Sequence, residues 1–378
     1  MLTWTPTTKD YYNKLNRLRH SSDFKKDENG VTSRVVSDPT VVAEYSLDDF
    51  NLHFMQDNGG PFAPDSEIMK RFKGTKPDSD AAQFCYDWRN QMGSKGVDIS
   101  DGVSVSKIYT TKNEIPISVY TPELKNPNEK LGAFIAYHGG GWIGGNVLVN
   151  ENFCKYIAQK ARLRVFNVDY RFAPEYSGYT LTDDCYEALN YIVENSSKLN
   201  VDTSKVVVYG DSAGGTLAAA VAYMDQKSGN KYVTHQVMCY PCVTLDKTTS
   251  KELSWSESKY HLDSVMKTRY QNDNVFSAKG MPAIVDVYIN GGDTKDPRFS
   301  PYNMDDEDYQ NMPQAFIATD EFDPLRPSGY AYAKRLTDNG VAAYYSNYRG
   351  MTHAFLDKFG IFPQGQEFAD QVAKWLNR

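Results

Sequence analysis

Short runs of apolar, aromatic and β-branched residues recur along the chain from about Ser104 onward, and polar stretches separate them. Runs of this kind, bounded by turn-forming residues, predict β-strands. Eight are predicted, over residues 105–109, 115–120, 133–137, 165–168, 206–209, 236–240, 315–319 and 342–348.

Helical patterns lie between many of these runs, at residues 152–161, 181–195, 216–226, 329–338 and 367–376. The first two strands are joined by residues 110–114, which suits an antiparallel hairpin. The later strands alternate with helices, as in a parallel sheet. The unbroken apolar run at residues 206–208 indicates strands that are covered on both faces.

Two segments depart from this alternation. The first hundred residues are polar and rich in Gly, Pro and Asp, with short helices expected near residues 10–19 and 81–92 and no buried strand. A second polar segment follows Val243. We predict a single domain over residues 1–378, with a core of about 96–242 and 296–378. Residues 1–95 and 243–295 would form a cap over the carboxyl ends of the strands.

Composition narrows the classes of function. The 378 residues carry a net charge of −7, which argues against nucleic acid and anionic membranes as partners. No apolar run is long enough to predict a membrane span, and the N-terminus does not have the pattern of a secretory signal. Five scattered cysteines suit a reducing cytoplasm better than a disulfide framework. The pair Cys239 and Cys242 is interpreted as structural.

The strongest chemical signal is the sequence from Gly210 to Gly215, GDSAGG. It follows a predicted strand and opens a helix, which is the context of a G-x-S-x-G nucleophile elbow. The glycines let strand and helix approach closely around a strained serine. Ser212 is therefore the candidate nucleophile. The alternative is a serine that merely caps a helix.

The second signal is the run from His138 to Trp142, HGGGW, directly after the strand at residues 133–137. Consecutive glycines suit a loop whose backbone N–H groups point at a ligand. In this context such a loop supplies part of an oxyanion hole, and the N–H of Ala213 supplies another donor. A phosphate-binding loop is the alternative, but the glycine spacing of the known phosphate loops is missing.

A serine needs a base and an acid to become a nucleophile. Among six histidines, only His353 follows the last strand, where the order serine, acid, histidine would place the base. The acid should follow the strand at residues 315–319. Asp323 precedes a proline, which restricts its backbone, and is favoured. Asp320 and, less so, Glu321 are the alternatives.

Together HGGGW, DYRFAPE, GDSAGG, DEFDPL and GMTHAF resemble the hormone-sensitive-lipase family of carboxylesterases over about two-thirds of the chain. The resemblance implies an α/β-hydrolase fold, with a mostly parallel eight-stranded sheet flanked by helices and a cap. It implies a catalytic triad of Ser212, Asp323 and His353. Two positions depart from the family pattern, Thr216 where Asn is usual and the stretch at residues 176–179.

The resemblance further implies an oxyanion hole formed by Gly140, Gly141 and Ala213, with no cofactor and no metal. Four residues next to the motifs are predicted to border the substrate, namely Trp142, Phe322, Leu325 and Phe355.

The sequence thus predicts a serine carboxylesterase that hydrolyses short-acyl or small aromatic esters through an acyl-enzyme on Ser212. A small-molecule ester is the expected partner, and a homodimer is left open. An amide hydrolase or deacetylase with the same triad is the alternative. A non-catalytic receptor is a third reading, disfavoured because His353 is retained. Activity is expected to rise with pH as the histidine loses its proton, near 6.5 before perturbation.

Overall fold

The predicted strands form one mixed sheet in the computed structural model, which describes residues 9–39, 47–48, 96–246, 248–249, 253 and 280–378. In spatial order the strands run β1-β2-β10-β9-β8-β7-β5-β6-β4-β3. Their bounds are β1 Lys25–Lys26, β2 Thr32–Val36, β3 Val103–Tyr109, β4 Pro116–Pro122, β5 Leu131–Tyr137, β6 Arg164–Val168, β7 Val201–Asp211, β8 His235–Cys239, β9 Gln314–Phe322 and β10 Ala343–Thr352.

The eight strands β3 to β10 overlap the eight predicted runs. Strands β3 and β4 pair antiparallel as a hairpin, and β4 pairs antiparallel with β6. From β6 to β10 each neighbouring pair is parallel. The predicted class, a mostly parallel sheet with helices on its faces, is confirmed.

The sheet has ten strands rather than eight, because the N-terminal region contributes two. Strand β2 pairs parallel with β10, and β1 pairs antiparallel with β2. From the sequence, these residues were predicted to lie in the cap, and no buried strand was expected there. Strand β2 is short and reads Thr-Ser-Arg-Val-Val, and its buried Arg34 is neutralised by Glu367 at 2.7 Å. A charged residue at a buried position hides the apolar alternation that would reveal a strand.

Helices cover both faces of the sheet. Their bounds are α1 Lys9–Arg19, α2 Glu151–Ala161, α3 Thr180–Glu194, α4 Ser196–Leu199, α5 Ala213–Ser228, α6 Gly280–Ile289, α7 Asp306–Gln310, α8 Arg326–Asp338 and α9 Pro363–Leu376. Short 3₁₀ turns occupy Pro301–Asn303 and Phe355–Lys358.

The core is divided by the sheet into two apolar clusters. Along β5 the side chains alternate, since Ala133 and Ile135 belong to one cluster and Phe134 and Ala136 to the other. Successive side chains of a strand point to opposite faces, so every residue of β5 is buried on one side or the other. Helices α3, α5 and α8 pack on the first face, and α1, α2 and α9 on the second.

The carboxyl ends of the parallel strands lie along one edge of the sheet, where catalytic groups gather in open α/β folds. Most of the predicted cap lies outside the described residues, as does the helix expected at residues 81–92. The described part of residues 243–295 includes α6, whose Ile284 side chain approaches Gly141 in the glycine loop. No helix in the described part of the chain combines the length and apolar character that a membrane crossing requires.

Candidate active site

Ser212 occupies the turn between β7 and α5, with φ 53° and ψ −118°. Positive φ is strained for a serine, and such strain collects at functional sites. The turn depends on glycine at its flanks. A Cβ on Gly210 would lie 1.9 Å from the carbonyl oxygen of Gly214, and one on Gly214 would lie 2.0 Å from that of Tyr137. The Ser212 N–H donates to the Cys239 carbonyl at 3.0 Å, which ties the turn to β8.

Three predicted side chains meet at this turn. His353 Nε2 lies 2.9 Å from Ser212 Oγ, and His353 Nδ1 lies 2.7 Å from Asp323 Oδ2. Asp323 is fully buried, and its second oxygen accepts the N–H of Leu325 at 2.7 Å. The residues come from the ends of β7, β9 and β10, far apart in the chain. The arrangement has the distances of a nucleophile, a base and an acid that orients the base.

The charged groups that act on His353 are carboxylates. Burial alone lowers the pKa of His353, but the charge of Asp323 and the hydrogen bond to it outweigh burial, and Asp357 and Asp211 add to the rise. The net pKa lies above its ordinary value. The histidine side chain is 14 % exposed, so an imidazolium formed here is shielded from water and stabilised by these carboxylates.

Asp211, directly before the serine, links the elbow to the glycine loop. Burial raises its pKa to about 7, and the charge of Asp357 contributes. A hydrogen bond from the Gly139 backbone and the charge of His353 act in the opposite direction. The two loops are packed so closely that a Cβ on Gly139 would lie 2.4 Å from Asp211 Oδ2.

The glycine loop turns sharply after β5. Gly140 has φ +135° and Gly141 has φ +62°, and the carbonyl of Gly140 accepts the N–H of Gly144 at 3.0 Å. Within the described parts of the chain, neither Gly140 nor Gly141 donates its N–H to a protein acceptor. Since Ala213 begins α5, its N–H belongs to a helix N-terminus with a partial positive charge. Two of the three predicted oxyanion donors therefore lie in the glycine loop, and the third lies at the start of α5.

His138 supports the glycine loop through contacts of its ring and backbone. Its ring is buried, stacks on Tyr170 with centroids 4.4 Å apart, and has Nδ1 2.8 Å from the Gly139 carbonyl. Tyr170 Oη donates to the His138 carbonyl at 2.6 Å. Burial lowers the pKa of His138, which favours a neutral ring. The ring therefore supports the glycine loop through Gly139 and packs against Tyr170.

The four predicted substrate-bordering residues are distributed differently. Trp142 is buried and stacks on Tyr288 of α6, with centroids 4.9 Å apart and the rings 1° from parallel. Phe322 is buried, and Leu325 is half-buried beside Asp323. Phe355 packs between Tyr240 and Tyr348 in the cluster on the second face of the sheet. Their contact with substrate stays a prediction.

The two alternative acids have different surroundings. Glu321 accepts the N–H of Gly350 at 2.8 Å, so it joins the ends of β9 and β10. Asp320 is fully buried, and neither of its oxygens has a hydrogen-bond partner among the described residues. Asp320, Asp323 and His353 have oxygen and nitrogen atoms within 4.8 Å of one another. Burial, and then the charge of Asp323, raise the pKa of Asp320 well above its ordinary value.

Several residues of the site were not identified from the sequence. Tyr240, which ends the predicted strand at residues 236–240, packs its ring on His353 with centroids 4.8 Å apart. Asp357 lies four residues after the histidine and acts through its charge. Asp211 is part of the serine motif itself. A position inside or close to a motif is therefore a signal by which Asp211 and Asp357 could have been found. No feature of the sequence indicates that Tyr240 contacts His353.

Comparison with known proteins assigns the class that this fold and geometry define. Residues 134–357 match the model of an α/β-hydrolase fold family, and the chain belongs to that family, among the carboxylesterases that resemble hormone-sensitive lipase. The match spans the glycine loop, the elbow, Asp323 and His353.

Two individual relatives and one solved structure are similar to the chain over most of their length. The chain is 36 % identical to an arylesterase of Saccharolobus solfataricus over 66 % of its own length and 76 % of the relative. It is 32 % identical to carboxylesterase NlhH of Mycobacterium tuberculosis, over 71 % and 80 % of the two chains. Among solved structures, it is similar to a hyperthermophilic esterase from the archaeon Pyrobaculum calidifontis, with a TM-score of 0.66 and 28 % identity over 88 % and 98 % of the chains.

Proposed function

We propose that this protein is a serine carboxylesterase that hydrolyses esters of short acyl chains or small aromatic groups. The observation that carries the proposal is the pair of hydrogen bonds through His353, at 2.9 Å to Ser212 Oγ and 2.7 Å to Asp323. The relatives named as arylesterase and carboxylesterase support the ester as the bond that is cleaved.

In the first half of the reaction His353 Nε2 takes the proton of Ser212 while Oγ attacks the ester carbonyl. The N–H groups of Gly140, Gly141 and Ala213 would hold the oxyanion, each contributing about 3 kcal/mol to the transition state. Asp323 stabilises the imidazolium through Nδ1. The carbon–oxygen bond to the alcohol then breaks, and the alcohol leaves with the proton from His353.

In the second half a water molecule replaces the alcohol. His353 removes a proton from this water, the resulting oxygen attacks the acyl-enzyme, and the carboxylic acid leaves as Ser212 regains its proton. Because both halves need a neutral histidine at the start, the raised pKa of His353 moves the acid-side loss of activity to higher pH.

The deciding measurement is hydrolysis of p-nitrophenyl esters from acetate to laurate by the wild type and Ser212→Ala in parallel. We expect turnover of the short esters and a loss of at least about a thousandfold in kcat/KM for the alanine variant. Equal rates for the two proteins would rule out Ser212 as nucleophile.

Amide cleavage by the same groups is the alternative activity, so matched esters and amides of one acid should be compared. Faster turnover of the amide would replace the esterase assignment with an amidase. A cytoplasmic location was expected from the sequence, and a homodimer was left open. Both remain proposals.

A further inference from the structure

The N-terminal region reaches the loop that carries His353. Asp48 donates its backbone N–H to the carbonyl of Gly350 at 3.0 Å. Its carboxylate lies 2.8 Å from Lys14 Nζ on α1 and accepts from Gln364 Nε2 on α9 at 2.9 Å. Asp48 is 1 % exposed. One buried residue therefore joins α1, the first turn of α9 and the end of β10.

Gly350 lies in an irregular part of β10, three residues before His353. The register of β10 against β9 shifts between Tyr348 and Thr352, and Gly350 has φ +73°. A Cβ at this position would lie 2.6 Å from the Asp48 nitrogen. Only glycine accommodates both the backbone angle and the approach of Asp48.

The irregularity is held from two sides. The Gly350 N–H donates to Glu321 on β9, and the Gly350 carbonyl accepts from Asp48. Beyond it Thr352 pairs again with Phe322, and His353 follows. The geometry of this short stretch sets where the histidine ring lies relative to Asp323 and Ser212. A bulge that redirects a side chain is a common device next to active sites.

Buried charges fix the position of Asp48. Lys14 is 1 % exposed and lies near Asp38 as well, at 3.7 Å, while Asp38 takes two hydrogen bonds of 2.8 Å from Arg17. Among the described residues, two cations thus face two carboxylates. Such a buried group adds little net stability compared with apolar packing, but removing one partner leaves a charge without compensation. These ion pairs therefore favour a single position for the segment that carries Asp48.

We propose that Asp48, seated by Lys14, is a positioning residue for His353 and acts through its backbone hydrogen bond to Gly350. A described part of the N-terminal region thereby helps to position the base. This inference rests on the proposed esterase function, because the role of His353 as base gives the positioning its consequence.

The test compares two double variants of the full chain, Lys14→Met/Asp48→Asn and Lys14→Met/Asp48→Pro. Both lack the buried ion pair, and the proline variant also lacks the N–H that Gly350 accepts. With p-nitrophenyl acetate we expect the asparagine variant to retain most of the wild-type kcat. The proline variant should lose about tenfold or more in kcat, with KM changed less than about threefold, because a misplaced base slows chemistry more than binding.

Arg19→Gln is the matched control. It breaks another tether of α1 to α9, the contact of Arg19 with Asp370, at a partly exposed position. It should leave kcat and KM unchanged. Each variant is assayed well below its own melting midpoint, and the rate of Ser212 labelling by a fluorophosphonate provides a second readout of the base. The labelling rate should fall in parallel with kcat.

Equal kcat in the proline and asparagine variants, with an active wild type, would overturn the inference. An inert wild type would instead overturn the proposed function. If the proline variant does not fold, Asp48→Asn alone is compared with Lys14→Met/Asp48→Asn. Loss of kcat in the single variant and its recovery in the double variant would support the inference that the position of Asp48 controls His353. Equal kcat in the two variants would refute it.

Discussion

At the scale of single residues, the charge around His353 sets the pH dependence. The base must be neutral to accept the serine proton, and its raised pKa moves the acid limb of kcat/KM above about 6.5. Burial also raises the pKa of Asp211, to about 7, and the charge of Asp211 adds to the rise in the pKa of His353. Asp357 raises the pKa of both groups.

Replacement of Asp357 by Asn should therefore make the enzyme more active at low pH. Without that negative charge the pKa of His353 falls, and a larger fraction of the histidine is neutral at pH 6. We expect the ratio of kcat/KM at pH 6 to that at pH 8 to rise about two- to fivefold. Asp338→Asn, in a surface pair with Lys334, is the control. An unchanged ratio in the Asp357 variant would contradict the assignment of His353 as base.

At the scale of elements, the sequence revealed those whose apolar pattern is continuous. Strands β5 and β9, and β7 from Val206 onward, are buried on both faces, and α2 and α9 have clear amphipathic periodicity. β5, β7 and β9 lead into the glycine loop, Ser212 and the acidic loop, so their order and spacing pointed to Ser212 and to a short list of acids headed by Asp323.

The N-terminal elements could not be recognised in the same way. Strand β1 is two exposed lysines, and β2 has Arg34 at a buried position, where it pairs with Glu367 more than three hundred residues away. The contact of Asp48 with Gly350 is likewise a product of tertiary packing. Local patterns contain no information about a partner so distant in the chain.

Helix α6 is the element that we expect to influence substrate size. It belongs to the segment predicted as cap, its Tyr288 stacks on Trp142, and the Ile284 Cγ2 lies 3.7 Å from where a Cβ on Gly141 would be. Ile284→Ala removes bulk above a predicted oxyanion donor. The ratio of kcat/KM for the hexanoate to that for the acetate ester should rise about three- to tenfold.

The exposed Asp286 on the same helix provides the comparison, and Asp286→Ala should leave the chain-length profile as in the wild type. A profile that is identical for the two variants would place the acyl site away from Ile284.

At the scale of the whole molecule, buried carboxyl groups link stability to pH. Glu367 and Asp48 are neutralised by Arg34 and Lys14. Asp320 has no such partner among the described residues, and its pKa in the folded protein is raised by burial. In the unfolded chain an aspartate titrates near 3.9. Between these two pKa values the folded state binds the extra proton, so this group makes stability fall as pH rises.

Asp320→Asn should remove this dependence, because the amide stays neutral at every pH. The difference in unfolding free energy, variant minus wild type, should grow with pH from about pH 5 by up to about 1.4 kcal/mol per unit, until Asp320 ionises in the folded wild type. Urea unfolding at pH 5, 6, 7 and 8 measures it. Asp202, whose pKa is lowered by the Ser204 N–H, serves as the opposite case, and Asp202→Asn should give a difference that does not grow above about pH 5. A flat difference for Asp320→Asn would mean that Asp320 is already ionised in the folded protein at pH 5.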